Sequence, residues 1–493
     1  MNRYLKYLQK LKTNYKMAVK ISWLNADETV QFEFTNALYN MSGSINVNLQ
    51  NGARRTCTIT IDNNNGKFPI DYNHIWFGQK FQIWMGVYLY EEDIFYLPQG
   101  VFCVKNPKET YNPTTNTITL QGVDKWGMLD GSLYGNLPAT FKSLPNQDIR
   151  DLVKMLLKKS KYSDSFDLAD SILDMIEPKE VIFDEYFDTK KVDVVRYYLE
   201  TGATIYYKSK SEEGKIEGTD NSPELRFLGT DNKYYRITDV DYFSPNYVEQ
   251  TVSTTADESV TKNTLGKAYT VPTSIYKCPY TLVVKAGETI AKLLTEYATM
   301  LRANVFYDVN GYLRFTPLST SLDNVSDLDK EVIWNFTVTE QEFMGLDLEN
   351  KFDTTYNDIV ILGRILDGKQ MKARLQNRDS ASNFSIDKIG IKTKPAYQDD
   401  QYYSNEQCEE LGKYYARTDM AMERAGTFTS LPIYHADVDK LVTLSVPSNG
   451  MTQETFLIKS FSLNLNPIST MSLTVTNTRN FTNWTIVDGW GDE

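Results

Sequence analysis

Apolar and polar residues alternate along much of the first 130 residues. The segments INVNL at 45–49 and TCTITI at 56–61 each place every second residue, all of them apolar, on one side. A period of two is typical of a β-strand with one buried and one solvated face. Turn sequences such as NNNGK at 63–67 separate these segments. Repeated short strands divided by Gly, Asn and Pro predict a closed barrel or a sandwich.

After Pro145 the apolar period becomes helical. The segments NQDIRDLVKMLLKKSK and GETIAKLLTEYATML repeat apolar residues three or four positions apart, which predicts two amphipathic helices. Residues 161–283 mix short helical and strand patterns around the polar segment SEEGKIEGTDNS at 211–222. Asn310-Gly311, between two apolar runs, predicts a β-hairpin.

The middle of the chain also contains a faint internal similarity. ATIYYK and LRFLG follow one another near residue 203, and ANVFYD and LRFTP do so near residue 303. Two similar α+β units account for this pattern, and so does chance convergence of hairpin sequences.

The β pattern returns from Asp353. A hairpin is predicted at Asp367-Gly368, and a helix in SNEQCEELGKYYA, where Ser404 and Gln407 form a capping box. KLVTLSV, TFLIKSFSLNLN and MSLTVTN then predict half-buried strands. The chain is therefore predicted to be mainly β, with two β regions on either side of a mixed middle.

Length and charge limit the classes of function. A chain of 493 residues exceeds a single hydrophobic core, and about three domains are expected. The 52 basic and 64 acidic side chains leave a net charge of −12. An acidic surface repels phosphate, which argues against nucleic-acid binding through a basic groove. It permits a role in which DNA passes without binding.

The first 16 residues are basic and lack a continuous apolar stretch, so they do not form a signal peptide. Tyr4, Leu5, Leu8 and Leu11 fall on one helical face, which predicts a short helix that docks on the protein or on a neighbour. A helix lying on a membrane surface is the alternative. No window reaches the ~18 apolar residues of a membrane span, so no stable membrane insertion is expected.

The four cysteines, Cys57, Cys103, Cys278 and Cys408, lie far apart and show no CxxC spacing. We expect buried free thiols in a protein assembled in a reducing cytoplasm. A zinc site or a disulfide framework is not expected.

Only two histidines, His74 and His435, are available for acid–base chemistry near neutral pH. On a strand, His435, Asp437 and Asp439 would share one face, which fits either a metal site or, as the preferred interpretation, a surface or interface strand. The sequence nearby offers no second histidine as a ligand. His74 is expected in a loop or in the core.

No motif points to catalysis. The chain has no GxSxG elbow, no P-loop, no GxGxxG after a strand and no HExxH helix. Carboxylate pairs such as those at 184–186 and 327–329 resemble solvated loops, and a glycosidase pair assembled by the fold stays open. The 33 tyrosines are interpreted as residues that fill the core, and the alternative is that they form stacking platforms for sugars. We expect a protein that is not an enzyme, and assign no catalytic, cofactor-binding or metal-binding residue.

Segments at both ends of the chain resemble one family. They are RRTCTITIDNNNGKF, LPQGVFCVKNP and TNTITLQGVDKWGMLDG within 54–131, and NDIVILGRILDGKQMKARLQN, SLPIYHADVDKLVTLSV and TFLIKSFSLNLN within 357–466. In this order they resemble the tail hub proteins of long-tailed phages that infect Gram-positive bacteria, a family similar to the baseplate hub of contractile-tailed phages. The resemblance is weak in the middle of the chain.

The resemblance implies a mainly β fold with α+β insertions, in which two tail-tube-like β-barrel domains are joined by smaller mixed α/β domains. The implied parts are an N-terminal docking segment (1–17), a first barrel domain (18–140), a mixed α+β domain with a polar excursion (141–283), a small α+β domain (284–350) and a second barrel domain (351–493). In that fold Leu120 and Val123 pack the barrel wall and Gly122 permits a bend. Trp126 packs the turn toward Asp130-Gly131.

The implied function is that of a structural hub of a phage tail tip or baseplate. Three chains form a ring that continues the tail tube, adapts sixfold to threefold symmetry and lets DNA pass. The implied partners are a tail tube or distal tail protein above, tip, spike or receptor-binding proteins below, and a tape measure protein in the lumen. The implied location is the virion tail, after assembly in the host bacterial cytoplasm. From the net charge we expect an acidic lumen.

Two other functions stay open from the sequence: a tail-associated peptidoglycan hydrolase and a host carbohydrate-binding adhesin. Members of the family often carry such modules as a C-terminal extension. We expect none here, because the last strand pattern lies close to Glu493. Clearing of cell walls in zymography is the result that a hydrolase predicts, and glycan binding that falls when surface tyrosines are replaced is the result that an adhesin predicts.

Overall fold

The computed structural model describes most of 3–157, 281–317 and 353–487, together with separate segments between them. The gaps are 14, 37–39, 51, 72–73, 145–146, 302, 367, 381, 403–404, 422–424, 467–469 and 478–483, and the separate segments are 181–183, 204–208, 218–219, 222–223, 225–228, 234–237, 252–256, 265–270, 332–337 and 343–349. Cys278, the proposed cap residue Ser404 and both carboxylate pairs lie outside the described residues.

The chain forms two compact units. The first comprises Met1–Phe141, Met155–Phe183 and Val284–Glu493, and the second comprises Lys142–Lys154 and Asp184–Val283. The described helices are α1 (Arg3–Leu11), α2 (Ile149–Leu156), α3 (Ile290–Met300), α4 (Ile386–Ile389) and α5 (Asn405–Ala421), with short 3₁₀ turns at Lys125–Met128 and Pro447–Asn449.

The described strands fall into three groups along the chain. The first group is β1 (Met17–Leu24), β2 (Val30–Thr35), β3 (Met41–Asn48), β4 (Arg55–Asp62), β5 (Lys80–Tyr88), β6 (Ile94–Asn112), β7 (Thr115–Asp124) and β8 (Phe141–Lys142). The second is β9 (Val181–Phe183), β10 (Thr204–Lys208), β11 (Gly218–Thr219), β12 (Ser222–Pro223), β13 (Leu225–Leu228), β14 (Tyr234–Ile237), β15 (Val252–Ala256), β16 (Leu265–Thr270) and β17 (Val283–Val284). The third is β18 (Ala303–Tyr307), β19 (Leu313–Pro317), β20 (Val332–Thr337), β21 (Phe343–Glu349), β22 (Asp358–Leu366), β23 (Lys369–Asn377), β24 (Tyr397–Gln398), β25 (Ala425–Ser430), β26 (Leu441–Val446), β27 (Met451–Asn464), β28 (Met471–Asn477) and β29 (Trp484–Ile486).

A 13-stranded sheet dominates the described part of the first unit. Its main path runs β2, β1, β5, β6, β7, β4, β3, β27, β28, β25, β21, and β26 and β20 attach beside β27. The pairings along the main path are antiparallel, whereas β20 pairs with β26 in parallel. Strands from both ends of the chain thus belong to one sheet.

The long strand β27 joins the two halves of this sheet. Its first part pairs with β26, and Ser460–Asn464 pairs with β3 along the same edge. The Leu49 N–H donates to the Lys459 carbonyl at 2.7 Å, and the Leu465 N–H donates to the Gly43 carbonyl at 2.9 Å. These two bonds extend the ladder at both ends, so β3 and β27 form a continuous junction within one chain.

The two halves of the sheet repeat one pattern of strands. The N-terminal half pairs in the order β1-β5-β6-β7-β4-β3, and the C-terminal half in the order β20-β26-β27-β28-β25-β21. Equivalent strands also follow one another in the same order along the chain. The halves differ in that β1 pairs with β5 antiparallel, whereas β20 pairs with β26 parallel.

Local hydrogen bonds confirm that β6 and β27 are equivalent strands. The Val104 N–H donates to the Gln79 carbonyl and the Ile458 N–H to the Lys440 carbonyl, both at 2.9 Å. Immediately after each of these residues the register shifts, at Val104/Asn106 in β6 and at Ile458/Ser460 in β27. Such a shift marks a β-bulge, which bends the strand. In β27 the edge that pairs with β26 before the bulge pairs with β3 after it, whereas in β6 the pairing with β5 ends before the bulge.

The smaller sheets complete the described structure. In the first unit β24-β22-β23-β29 form a four-stranded sheet, and Cys408 and Leu411 of α5 are buried in a core with its residues. A three-stranded sheet, β18-β19-β9, lies in the same unit. In the second unit β15-β14-β13-β10-β16 form a five-stranded sheet.

Most predicted elements are confirmed. The two amphipathic helices correspond to α2 and α3, the two predicted hairpins correspond to β18–β19 and β22–β23, and the helix predicted after Ser404 is α5. The structure is mainly β, as predicted. The described strands do not show two closed barrels, because β3 and β27 join both regions in one sheet. β20 and β21, within the predicted 284–350 domain, also belong to this sheet, and the five predicted boundaries stay predictions.

Candidate functional site: the polar face of the central sheet

The central sheet consists of the C-terminal part of β6 with β7, β4, β3, β27, β28, β25 and β21. Its residues alternate between a buried and a solvated face: Ile45 and Val47 of β3 are buried, whereas Ser44, Asn46 and Asn48 are not. Paired residues in a sheet point to the same face. The pairing register therefore defines each face across all eight strands.

The solvated face carries small polar side chains without charge. We call it the polar face, and its members on the six inner strands are Ser42, Ser44, Asn46, Asn48, Thr56, Thr58, Thr60, Thr117, Thr119, Gln121, Thr427, Thr429, Ser460, Ser462, Asn464, Ser472 and Thr474. The Thr60 and Thr119 hydroxyls lie 3.0 Å apart and share a hydrogen bond. The face crosses the β3–β27 junction without interruption, because Asn46 pairs with Ser462 and Ser44 with Asn464.

Charged residues occur at the borders of the polar face. Asp62 ends β4, and Lys108, Asp347 and Glu349 lie on the two outermost strands, β6 and β21. Hydroxyl and amide groups offer donors and acceptors but no fixed charge, so the face has no ionic attraction for phosphate. A long polyanion would therefore find only weak, replaceable hydrogen bonds there.

The opposite face fixes the position of the polar face. Ile45 and Val47 of β3 and Phe461 and Leu463 of β27 are buried in one core that contains residues from both halves. Burial of an Ile, Leu or Phe side chain stabilises a fold by about 1.5–3 kcal/mol. A slip of one residue at the junction would turn these side chains to solvent, so the core fixes the register.

A buried ion cluster closes one end of the central sheet. It consists of Glu28, Lys80 and Lys125, each less than 6% exposed. Lys125 donates to the Glu28 carboxylate and, at 2.9 Å, to the Gly311 carbonyl, while Lys80 donates to the same carboxylate at 3.1 Å. Burial lowers the pKa of Lys125 to about 8. For Glu28 the two ammonium groups outweigh burial and hold the pKa below its ordinary value.

Asp124 anchors the neighbouring backbone. It is 1% exposed, and its carboxylate accepts the N–H groups of Arg54 at 2.8 Å, Arg55 at 2.9 Å and Trp126 at 3.1 Å. Burial raises the pKa of Asp124 to about 6, although the backbone donors of Arg55 and Arg54 oppose this shift. The carboxylate thereby fixes the chain before β4 and the turn after β7.

Arg55 connects this anchor to two other parts of the chain. Its guanidinium is 1% exposed, donates to the Tyr307 carbonyl at 3.2 Å and forms an ion pair with Asp437. Arg54 lies over the Phe306 ring, and burial lowers the pKa of Arg54 to about 10. The hairpin β18–β19 and the turn that contains Asp437 are therefore held at the end of the central sheet.

The predicted strand over 435–439 is wrong. These residues form turns, and Asp439 has a φ of 65°. Asp437 faces Arg55, and His435 faces the N-terminal helix, so the three side chains do not form one strand face. Within the described residues no group of three or more His, Cys, Asp and Glu side chains could hold a metal ion.

The N-terminal helix α1 packs on the C-terminal half through Tyr7. The Tyr7 hydroxyl lies 2.9 Å from His435 Nδ1 and accepts the Tyr434 N–H at 3.0 Å. His435 Nε2 lies 3.0 Å from the Ile333 carbonyl, which accepts, so in the neutral ring Nδ1 accepts from Tyr7. Tyr7 and Leu11 are buried, whereas Leu5 is 51% exposed. The buried face of α1 therefore contains Tyr7 in place of the predicted Leu5.

Replacing Tyr7 with Phe is expected to lower the free energy of unfolding by about 1–3 kcal/mol, because the half-buried His435 ring and the buried Tyr434 N–H both lose the hydrogen bond to the Tyr7 hydroxyl. Urea denaturation followed by tryptophan fluorescence measures this change, since the Trp334 ring lies 5.8 Å from the His435 ring. Tyr90→Phe is the matched control at a 62% exposed tyrosine. Equal effects of the two substitutions would contradict the assigned hydrogen bonds.

The remaining candidate groups are placed as follows. His74 is exposed, and its Nδ1 lies 2.8 Å from the Asp71 carboxylate. Cys57, Cys103 and Cys408 are free thiols and buried, as predicted, and burial raises the pKa of Cys103 to about 12. Trp126 is buried against Gly52, and Gly122 leaves room for the Cys57 sulfur rather than marking a bend. No described helix is long and apolar enough to span a membrane.

Sequence reasoning missed the main features of this site. It identified the alternation in single strands but not that their polar positions join into one face. It gave no indication that Asp124 and Lys125, at the end of a predicted strand, are buried. The partners of these two residues, Glu28, Arg54 and Arg55, lie far away in sequence. A signal was available in the runs of Ser, Thr and Asn at every second position of each strand.

No protein-family model matches the chain, and no curated protein matches it. Among solved structures it is similar to a tail protein from Neisseria meningitidis, with 10% identity, a TM-score of 0.47 and coverage of 95% of this chain and 98% of that one. A 43 kDa prophage tail protein from Shewanella oneidensis has 12% identity and a TM-score of 0.47, with coverage of 94% of this chain and 99% of that one. A prophage tail protein from Listeria monocytogenes has 8% identity and a TM-score of 0.40, with coverage of 95% of each chain. At these TM-scores and identities the likeness establishes neither the family nor the function of this chain.

Proposed function

We propose that the protein is a structural, non-enzymatic hub of a phage tail tip or baseplate. Three copies form a ring that continues the tail tube, adapts sixfold to threefold symmetry and lets DNA pass. The observation that carries this proposal is the repeat of six strands in two halves that pair edge to edge. Three such chains supply six similar β units, which is the number that a sixfold tube presents to a threefold tip.

The polar face is the proposed lining of the channel. It is the solvated face shared by both halves, and it crosses the junction between them. We therefore propose a lining of mainly uncharged hydroxyl and amide groups, with charged residues only at the borders of each face, instead of the acidic lumen expected from the net charge. Such a surface lets a phosphate chain slide because it neither binds the charges nor releases counterions.

The proposed partners follow from the same ring. A tail tube or distal tail protein lies above it, tip, spike or receptor-binding proteins lie below it, and a tape measure protein occupies the lumen before DNA passes. The proposed location is the virion tail, after assembly in the host cytoplasm. The sequence resemblance at both ends of the chain supports these assignments.

Static light scattering of the purified protein tests the ring. The expected mass is three times the 56.6 kDa of the chain, and it does not change with protein concentration at moderate salt. Electron microscopy of the same sample is then expected to show rings with a central channel. A mass equal to one chain at every concentration would contradict the proposal.

A further inference from the structure

The central sheet ends in two strand edges that have no described neighbour. In the described part of the chain, Lys105–Asn112 of β6 pairs only with β7, and β21 pairs only with β25. The β6 segment is mostly exposed, with Tyr111 77% exposed near its tip, and Met344 of β21 is 57% exposed. An unpaired edge is a ready template for pairing with another chain.

The internal repeat identifies what fits each edge. β21 is the equivalent of β3, and the C-terminal part of β6 is the equivalent of Ser460–Asn464 in β27. Within one chain β3 pairs with β27, but β21 and β6 stand at opposite ends of the eight-stranded central sheet. A second copy of this chain can bring the two edges together.

We propose that β21 of one copy pairs antiparallel with Lys105–Asn112 of β6 in the next copy, and so repeats between chains the β3–β27 junction found within each chain. This inference rests on the proposed trimeric hub and names its subunit contact. The contact is heterologous, because different edges meet, and such contacts close into a ring when the rotation permits. Three copies then contain three junctions within chains and three between them.

The register of the new junction follows from the repeat. Lys108 pairs with Thr119 and is the equivalent of Ser462, which pairs with Ser472. Glu349 pairs with Ala425 and is the equivalent of Asn46, which pairs with Thr56. Because Asn46 faces Ser462 in the intrachain junction, Glu349 of one copy faces Lys108 of the next. Opposite charges directly across two strands stabilise their pairing.

The same register accounts for the exposed Tyr111. Three positions beyond Lys108, Tyr111 is the equivalent of Leu465, which is fully buried. In the proposed junction it lies opposite Leu346, a half-buried residue that packs against the core. A side chain exposed to solvent in one copy is thereby covered by the next.

Pro107 explains why the β6 edge stays open in a single chain. It is the equivalent of Phe461 and has no N–H to donate. Proline is tolerated in edge strands where that N–H would face away from the existing neighbour, and it limits uncontrolled pairing. The junction between chains therefore has one donor fewer than the junction within a chain.

Disulfide cross-linking tests the contact and its register. In a background with Cys278→Ser, we expect the double variant Lys108→Cys/Glu349→Cys to form covalent trimers on oxidation, since directly opposed residues in antiparallel strands are close enough for a disulfide. Each single variant stays uncross-linked, and an equimolar mixture of the two singles gives covalent dimers. The matched control is Lys108→Cys/Gly345→Cys, whose sulfurs would lie about four residues, or roughly 13 Å, out of register.

Charge reversal supplies an independent test with exposed side chains that do not hold the fold. We expect Glu349→Lys and Lys108→Glu each to weaken trimer formation about tenfold, and the combined variant to restore it. Circular dichroism controls for folding.

The outcomes separate the inference from the proposed function. If the unmodified protein is a trimer but the matched cysteine pair does not cross-link, or if a single variant cross-links to itself, the β21–β6 contact is wrong and the ring stands. If the unmodified protein is a monomer at every concentration, both are wrong.

Discussion

Replacing Asp124 with Ala is expected to lower the free energy of unfolding by about 3–5 kcal/mol. The substitution leaves the backbone N–H groups of Arg54, Arg55 and Trp126 buried without their acceptor, and each such donor costs about 1–3 kcal/mol. It also removes a negative charge that interacts with the buried Arg55 side chain, which keeps its ion pair with Asp437. Urea denaturation at neutral pH, followed by circular dichroism, measures the loss.

Two further variants test the cause of this loss. Asp124→Asn keeps one acceptor oxygen and is expected to fall between the original protein and the alanine variant. Asp400→Ala removes an exposed carboxylate and is expected to change the free energy of unfolding by less than about 0.5 kcal/mol. If Asp124→Ala changes the stability as little as Asp400→Ala does, the anchoring role of Asp124 is wrong.

The cost of Asp124→Ala is also expected to depend on pH. The pKa of Asp124 is raised in the folded state to about 6 from an ordinary value of 3.8. Between these values the folded state binds more protons than the unfolded state, so the contribution of Asp124 to stability falls as pH rises. We expect the difference in unfolding free energy between the original and the alanine variant to be about 2 kcal/mol larger at pH 4 than at pH 7. A difference that grows as pH rises would contradict the direction of the shift.

The sequence predicts local structure well where one period is sufficient. Alternation in TCTITI places Cys57, Ile59 and Ile61 on the buried side of β4, and the helical period places the buried residues of α3. In both cases the pattern reports which side of an element is apolar, which depends only on neighbours in sequence. The presence and the polarity of the faces were therefore predictable.

The partners of these elements were not predictable from the same pattern. A period of two in β3 shows that it is a strand, but every other half-buried strand of the chain offers the same alternation. The pairing of β3 with β27 begins at the bulge around Lys459, where the pairing of β27 with β26 has ended, and no single-strand pattern marks that point. The repeat of the two halves is likewise visible in strand order and hydrogen bonds, whereas the side chains share only their alternation.

Buried charges are the second feature that the sequence conceals. Lys and Asp are almost never fully buried unless they are paired, so the sequence alone offers no reason to expect Asp124 and Lys125 in the interior. Their partners come from β4, from the turn before β2 and from the β18–β19 hairpin. Only the fold brings these segments together, and the wrong strand at 435–439 has the same origin, because Asp437 turns toward Arg55.

Replacing Gly43 with Ala is expected to cost about 3–5 kcal/mol and to disrupt the junction between the two halves. Gly43 has a φ of +141°, and a Cβ there would lie 2.0 Å from the Thr58 carbonyl oxygen of the paired strand. A non-glycine residue in such a conformation costs about 1–3 kcal/mol, and the overlap with rigid backbone adds about 1–3 kcal/mol more. The strands β3 and β4 must separate to admit the methyl group. The Gly43 carbonyl, which accepts the Leu465 N–H, must move with them.

Gly66→Ala is the matched control for this substitution. Gly66 also has a positive φ, +65°, but a Cβ there meets nothing within 4 Å, so a loss of only about 1 kcal/mol is expected. Hydrogen exchange of the amides of β3 and β27 locates the damage: faster exchange at Leu49 and Leu465 in the Gly43 variant, and not in the Gly66 variant, is the expected result. If both amides stay protected in the Gly43 variant, the two halves are held together by their common core rather than by the paired edges of β3 and β27. The proposed contact between copies repeats this junction, so the same result would count against that contact.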